Sequence, residues 1–338
     1  MKKPVLILLA LVLSLLSVPN VFASLSEVGT WNGSVGYSSD GFGSLSQTGT
    51  ISASVPAGST VLAAYLYTAT WGSATENSTD GTMLDGTVVT FDVWVNNPSY
   101  ASVSMRRADV TAIVKPVIDA GAGGIYDFTV DEVTSLQDGE ALIVVYENAS
   151  LDDHTFSLVE GFSDITGDDF AINFAAPIDT NDPGFFAEMF LGISFSCCNQ
   201  ASTVEVNGTT ITENAGDYDD GDAQANGSLI TVGGFDDPFS PLLPSYAEDH
   251  ERYDISSYIT NGDTSIDVFT VNPSVNDNIL IAGFYVNGRA AVNDEPPPPT
   301  VNAIVPTLPV PTLSEWAMIL LVLGFAALGY AVLRRRTH

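Results

Sequence analysis

The run with the most metal-ligand chemistry in the chain is "GDYDDGD", in which Asp217, Asp219, Asp220 and Asp222 surround Gly221. Ca2+ takes about six to eight oxygen ligands from a flexible loop, and closely spaced aspartates around a glycine turn supply ligands of that kind. The spacing departs from the helix–loop–helix calcium pattern: the glycine falls one place early and no glutamate stands at the twelfth position. A solvated acidic loop is the competing reading. Asp164, Asp168 and Asp169, and Asp179 with Asp182, form sparser sets of the same chemistry.

The two cysteines, Cys197 and Cys198 in "SCCNQ", are adjacent. A vicinal disulfide closes a tight ring around one peptide bond and is strained, so buried free thiols and bridges between molecules compete with it. No histidine lies near them in sequence, which argues against a catalytic thiol. His154 follows Asp152 and Asp153, and His338 belongs to the tail. His250 is hemmed by Glu248, Asp249 and Glu251, acids that favour the protonated ring and make it a poor zinc ligand or general base. The sequence contains no Ser-His-Asp arrangement, zinc spacing or glycine-rich phosphate loop. An Asp/Glu pair for sugar hydrolysis can be drawn from many acids, so its presence discriminates little. A groove lined by Trp31, Trp71 or Trp94 beside two close carboxylates is what such a hydrolase needs.

Strands must position all of these residues. "TVLAAYLYTATW" (60–71), "VVTFDVWV" (88–95), "GIYDFTV" (124–130), "ALIVVYE" (141–147), "AINFAAP" (171–177), "EMFLGISF" (188–195), "TVEVNGTTIT" (203–212), "TSIDVFTV" (264–271) and "ILIAGFYVNG" (279–288) are short, β-branched or aromatic, and bounded by turn residues. Asn-Gly, a dipeptide that takes the positive φ angles of tight hairpins, begins at Asn32, Asn207, Asn226, Asn261 and Asn287. The most helix-like stretch, 108–121, contains Pro116, which predicts one or two turns on either side of it.

A repeat organises residues 24–290. The segment starting at Arg107, "RADVTAIV…GIYDFTV…ALIVVY", aligns with the one starting at Arg252, "RYDISSYI…TSIDVFTV…ILIAGFY". Arg107 matches Arg252, Asp109 matches Asp254 and Thr111 matches Ser256. A period of whole-domain length predicts an all-β fold of two tandem, internally related β-sandwiches of jelly-roll or similar Greek-key type, at 24–150 and 151–290. One sandwich of the full length, with both copies pairing into common sheets, is the alternative. Each matched Asp is expected to start a turn, and the Arg two positions earlier to brace it through the carboxylate. Residues 291–309 contain Pro296 to Pro299 and read as a stiff extended spacer.

The ends are signals. Lys2 and Lys3, the apolar run from Val5 to Leu16 and the Val21-Phe22-Ala23 site read as a secretory signal peptide, residues 1–23. Trp316 to Leu333 is uncharged and spans about 27 Å as a helix, enough for a transmembrane helix, and Arg334, Arg335 and Arg336 stop transfer on the cytoplasmic side. Of 41 acidic residues only Glu315 lies beyond 309, and five of the ten Lys and Arg belong to the two terminal signals. The exported part therefore carries 40 acids against five bases. Such a charge repels nucleic acid and anionic lipid, and it suits metal cations or basic partners. With 45% hydrophobic residues the chain still has material for real cores.

Val310, Pro311, Thr312, Leu313, Ser314, Glu315 and Trp316, followed by the helix and the arginines, resemble the IPTL-type C-terminal sorting signal handled by exosortases of Gram-negative bacteria. Val310 and Ala317 depart from the usual Ile and Gly, both conservatively in size. Residues 310–338 then form the sorting motif, transmembrane helix and basic tail. The resemblance implies an exosortase-like membrane protease as partner, a transient inner-membrane anchor, and release to the cell surface or beyond. The expected function is structural, adhesive or ligand-binding, with surface glycan or matrix components and Ca2+ as the partners in view. A secreted polysaccharide hydrolase is the rival.

Overall fold

The computed structural model describes residues 25–43, 45–72, 74–75, 78–194, 202–216, 220, 223–224, 227–273 and 278–294. Its first half comprises β1 (Ser26–Gly33), β2 (Val35–Phe42), β3 (Thr48–Val55), β4 (Thr60–Trp71), β5 (Met83–Leu84), β6 (Thr87–Val88), β7 (Val93–Asn96), β8 (Val103–Asp109), helix α1 (Thr111–Asp119), β9 (Gly124–Asp131) and β10 (Gln137–Glu147). The second comprises β11 (His154–Glu160), β12 (Asp168–Phe174), β13 (Ala187–Ser194), β14 (Thr203–Val206), β15 (Thr209–Thr212), β16 (Ala223–Gln224), β17 (Gly227–Ser228), β18 (Ile230–Val232), β19 (Arg252–Asp254), β20 (Ser265–Val271), β21 (Asn278–Asn287) and β22 (Ala290–Val292). The fold is all-β, as the strand patterns predict.

Four larger sheets result. Sheet I runs β2-β10-β4-β8-β7 and sheet II β3-β9-β5-β6. Sheet III runs β1-β11-β21-β13-β18, with β19 also on β13, and sheet IV runs β15-β14-β20-β12-β22. The order β2-β10-β4-β8 recurs as β11-β21-β13-β19, and β3-β9-β5-β6 recurs as β12-β20-β14-β15. The sequence repeat is thus also a repeat of strand order. Residue 150 falls in the turn between the two strand sets, yet β1 crosses it: Trp31 pairs with Phe156 of β11.

Three apolar layers hold the sheets. Ile51 and Phe128 of sheet II meet Leu66 and Leu142 of sheet I. Ile172 and Ile266 of sheet IV meet Met189 and Phe284 of sheet III. Between them, Tyr67, Met105 and Ile143 of sheet I pack on Phe156, Phe190 and Ile281 of sheet III. Sheets I and III are therefore covered on both faces. That explains why β13 is buried at every position and β10 at all but its last, whereas outer strand β9 alternates.

Two local expectations are corrected. Helix α1 runs through Pro116 without a break, because Val114 and Ile118 on its inner face anchor it in the first core and Lys115 bridges Asp119 one turn later at 2.8 Å. Tertiary packing offsets the lost hydrogen bond. The single strand expected at 88–95 is two short ones, β6 and β7, which belong to different sheets. The Asn207-Gly208 hairpin forms as predicted, with φ of 49° and 73° joining β14 to β15.

The run Trp316 to Leu333 and the proline spacer lie outside the described residues. Among the described residues no helix is long and apolar enough to cross a membrane.

Candidate functional site

The repeated Asp motifs start turns in both halves. Asp109 Oδ1 accepts the Thr111 N–H at 2.9 Å, and Thr111 Oγ1 accepts the Ala64 N–H at 2.9 Å. Asp254 Oδ1 accepts the Ser256 N–H at 3.0 Å, and Ser256 Oγ accepts the Ala187 N–H at 2.9 Å. Replacing Asp254 by alanine is expected to cost about 1 kcal/mol, one net hydrogen bond, read from denaturant unfolding. An unchanged midpoint would remove this structural role.

The arginines do not brace those turns. Arg107 Nε donates to Glu160 of sheet III at 2.7 Å, and Arg252 Nε donates to Glu188 at 2.7 Å. The turn aspartates are spent on backbone N–H groups, while the buried glutamates offer desolvated carboxylates that need a cation. Tyr37 of sheet I donates to the same Glu188 oxygen at 2.6 Å, and its ring stacks on Phe156 at 4.5 Å between centroids. Burial, then the adjacent Glu188 charge, pushes the Tyr37 hydroxyl well above its ordinary pKa. These two polar clusters flank the apolar layer between sheets I and III and tie one half to the other.

Buried acids gather at one end of each sheet pair. In the second half, Asp249 and Glu251 are fully buried but supplied with donors: Thr212, Tyr253 and Ser240 donate to Asp249, and Tyr253 and the Gly216 N–H to Glu251. Arg106 aligns with Glu251 in the repeat. It is equally buried, donating to Thr70 Oγ1 at 3.2 Å and to the Thr75 carbonyl at 2.7 Å. At that end of the first half lie Glu132, Asp138 and Glu140, which are 8%, 5% and 0% exposed. Burial raises the Glu132 carboxyl to about 7 and pushes Asp138 and Glu140 well above the usual carboxylate range. A signal for Glu140 was present in "QDGEALIVVYE": it shares the inward face of Leu142 and Val144 on a strand buried along nearly its whole length.

The sequence-predicted candidates fare differently. Asp217, Asp219 and Asp222, Cys197 and Cys198, and the sorting motif Val310 to Trp316 with Arg334 to Arg336 lie outside the described residues. Asp220 is described: its carbonyl accepts the Gly43 N–H at 2.5 Å and its carboxylate accepts the Val232 N–H. Asp164, Asp179 and Asp182 each accept a backbone N–H two residues on, so they cap turns. Asp168 accepts the Asp164 N–H at 2.7 Å. His154 is held by the Asp152 carbonyl and Asn287 and stacks on Tyr285.

Of the three tryptophans, Trp71 packs on Tyr100 and Trp94 lies under the Arg106 guanidinium at 5.6 Å. Trp31 lines a surface groove of about 730 Å3, together with Asn32, Leu62, Glu147 and Asn148. Glu147 is the one acid among its lining residues.

Both the β architecture and the tail now define a class: an exported all-β protein with a C-terminal sorting signal. Residues 309–336 match the family model of the IPTL-CTERM motif, which covers the sorting motif and its basic cap. No curated protein matches the chain. Among solved structures, a crystal structure of a BuGH86 variant in complex with neoagarooctaose aligns with 78% of this chain at 9% identity and a TM-score of 0.21. The chain spans about 35% of that structure's length. A likeness that shallow carries no argument.

Proposed function

We propose that this protein is a non-enzymatic component of the bacterial surface or extracellular matrix, of structural, adhesive or ligand-binding type. The observation that carries this reading is the IPTL-CTERM match at 309–336 behind a body of stacked β-sheets. Residues 1–23 direct export, Trp316 to Leu333 hold the chain in the inner membrane, and an exosortase-like protease reads the Val310 to Trp316 motif. The exported body is a pair of related jelly rolls fused face to face, a reading supported by the repeated strand order and the third apolar layer. The Trp31 groove supports binding over hydrolysis, since glycosidases need two carboxylates about 5–9.5 Å apart and only Glu147 lines it.

Replacing Pro311 and Thr312 together by alanine is expected to leave the chain in the membrane fraction with Arg334 to Arg336 intact in its mass spectrum. The unaltered protein should lose that tail in a host with the sorting protease and keep it in a host without. Retention of the arginines in both hosts would overturn the sorting reading. Turnover of a polysaccharide by the purified protein would overturn the non-enzymatic one.

A further inference from the structure

We infer that the Thr68 hydroxyl attacks the Gln137 side-chain amide and closes an ester bond between β4 and β10, with loss of ammonia.

Strand pairing brings the reacting groups to one face. Thr68 lies directly across from Glu140, and a β-bulge between Gln137 and Gly139 inserts Asp138 as an extra residue in β10. In a regular strand, residues three apart point to opposite faces; the extra residue brings the Gln137 side chain to the side of Glu140. Gly139 permits the bulge: its φ is +135°, and a Cβ there would lie 2.4 Å from the Phe42 carbonyl oxygen. Thr68, Thr82, Gln137 and Glu140 are all buried.

The contacts give each group a part. Thr68 Oγ1 donates to Glu140 Oε1 at 3.0 Å, and the Gln137 amide nitrogen donates to the same oxygen at 2.9 Å. A second acceptor for Thr68, the Gly139 carbonyl, is farther off at 3.2 Å. Gln137 Nε2 is 3.2 Å from Thr68 Oγ1, so the amide carbon is one bond away from an atom already touching the nucleophile. Gln137 Oε1 accepts from the Val133 N–H at 3.1 Å and from the Thr82 hydroxyl at 3.2 Å, paired donors of the kind that stabilise an oxyanion. The Thr82 hydroxyl also reaches the Thr79 carbonyl at 2.9 Å, which holds it in place.

Glu140 takes the hydroxyl proton as Thr68 Oγ1 bonds to the amide carbon, and negative charge collects on Gln137 Oε1 between its two donors. As this tetrahedral centre collapses, the carbon–nitrogen bond breaks and Glu140 returns the proton to the leaving nitrogen, which departs as ammonia. The carboxylate is regenerated and no oxidant or cofactor is consumed. Burial, then the Glu132 charge, raises the Glu140 carboxyl and strengthens it as a base. Its other oxygen is buried without a hydrogen-bond partner, so no donor there quenches that basicity. The same burial keeps water from hydrolysing the product. The bond joins positions 69 apart in sequence and fastens two adjacent strands of sheet I, restricting the unfolded chain as a long-loop disulfide does.

The test is mass spectrometry of the exported full chain after denaturation and trypsin. Arg106 and Arg107 lie between Thr68 and Gln137, so cleavage there puts the two on separate fragments. The expected result is one linked species, lighter by one ammonia than the sum of those fragments and separated by mild alkali. An Asn-Gly succinimide also sheds ammonia but joins no fragments. Thr68→Val and Glu140→Gln should each give unlinked fragments of full mass, while Thr68→Ser should keep the link. Unlinked fragments from the unaltered chain, or a link that persists in Thr68→Val, would overturn the assignment. Should either variant fail to fold, sequencing of the linked species from the unaltered chain decides: a junction between residues other than Thr68 and Gln137 overturns it.

Discussion

Replacing Arg252 by alanine is expected to destabilise the folded body by about 3–5 kcal/mol, the cost of leaving a buried carboxylate without its cation. Glu188 keeps only 6% of its side chain exposed, and its Oε1 accepts from both Arg252 and Tyr37. Arg252 also donates to the carbonyls of Phe235 and Asp237 and lies 4.5 Å above the Phe239 ring, so its loss releases a loop as well as an ion pair. Adding Glu188→Gln should restore a large part of the loss, because the amide is neutral and its oxygen still accepts from Tyr37. Denaturant unfolding of the single and double variants checks this. If the double variant is no more stable than the single one, charge burial is not what makes Arg252 important.

Stability is expected to fall as pH rises from 5 to 8. Burial raises the Glu132 carboxyl from an ordinary 4.5 to about 7, so the folded chain keeps a proton that the unfolded chain releases. The stabilisation is complete below about 4.5 and is lost as pH climbs through about 7, a swing of about 3 kcal/mol from this group. Asp138 and Glu140 are raised by burial too and act in the same direction. Arg106 is the charged group of opposite sign at this end. Asp40, raised to about 7 mainly by burial, adds a slope of the same sign elsewhere. Glu132→Gln should therefore flatten the profile without levelling it, as followed by unfolding midpoints across the pH range. An identical slope in the variant would refute the role given to Glu132.

How much could be read beforehand depends on which physical signal each element carries. Strands such as Thr60–Trp71 and Asn278–Asn287 announce themselves by apolar, β-branched runs. Ser26–Gly33, Val35–Phe42 and Thr48–Val55 do not, being rich in Ser, Gly and Thr, and they are strands because neighbouring strands supply the pairing. Their small residues face bulky partners instead: the Tyr146 ring lies over Gly36. The unbroken burial of "ALIVVY" against the alternation of "GIYDFTV" marks inner and outer sheets, a distinction the pattern held but strand prediction alone does not use.

Local chemistry and order along the chain determined the β class, the repeat, the turn aspartates and the sorting tail, because each depends on residues close together in sequence. Which acids lose water, which arginine meets which glutamate, and the joining of two copies through a third apolar layer were decided only by tertiary structure. Desolvation and ion pairing depend on what lies across a gap between sheets, and residues as far apart as Tyr37 and Glu188 become neighbours only once both halves have packed.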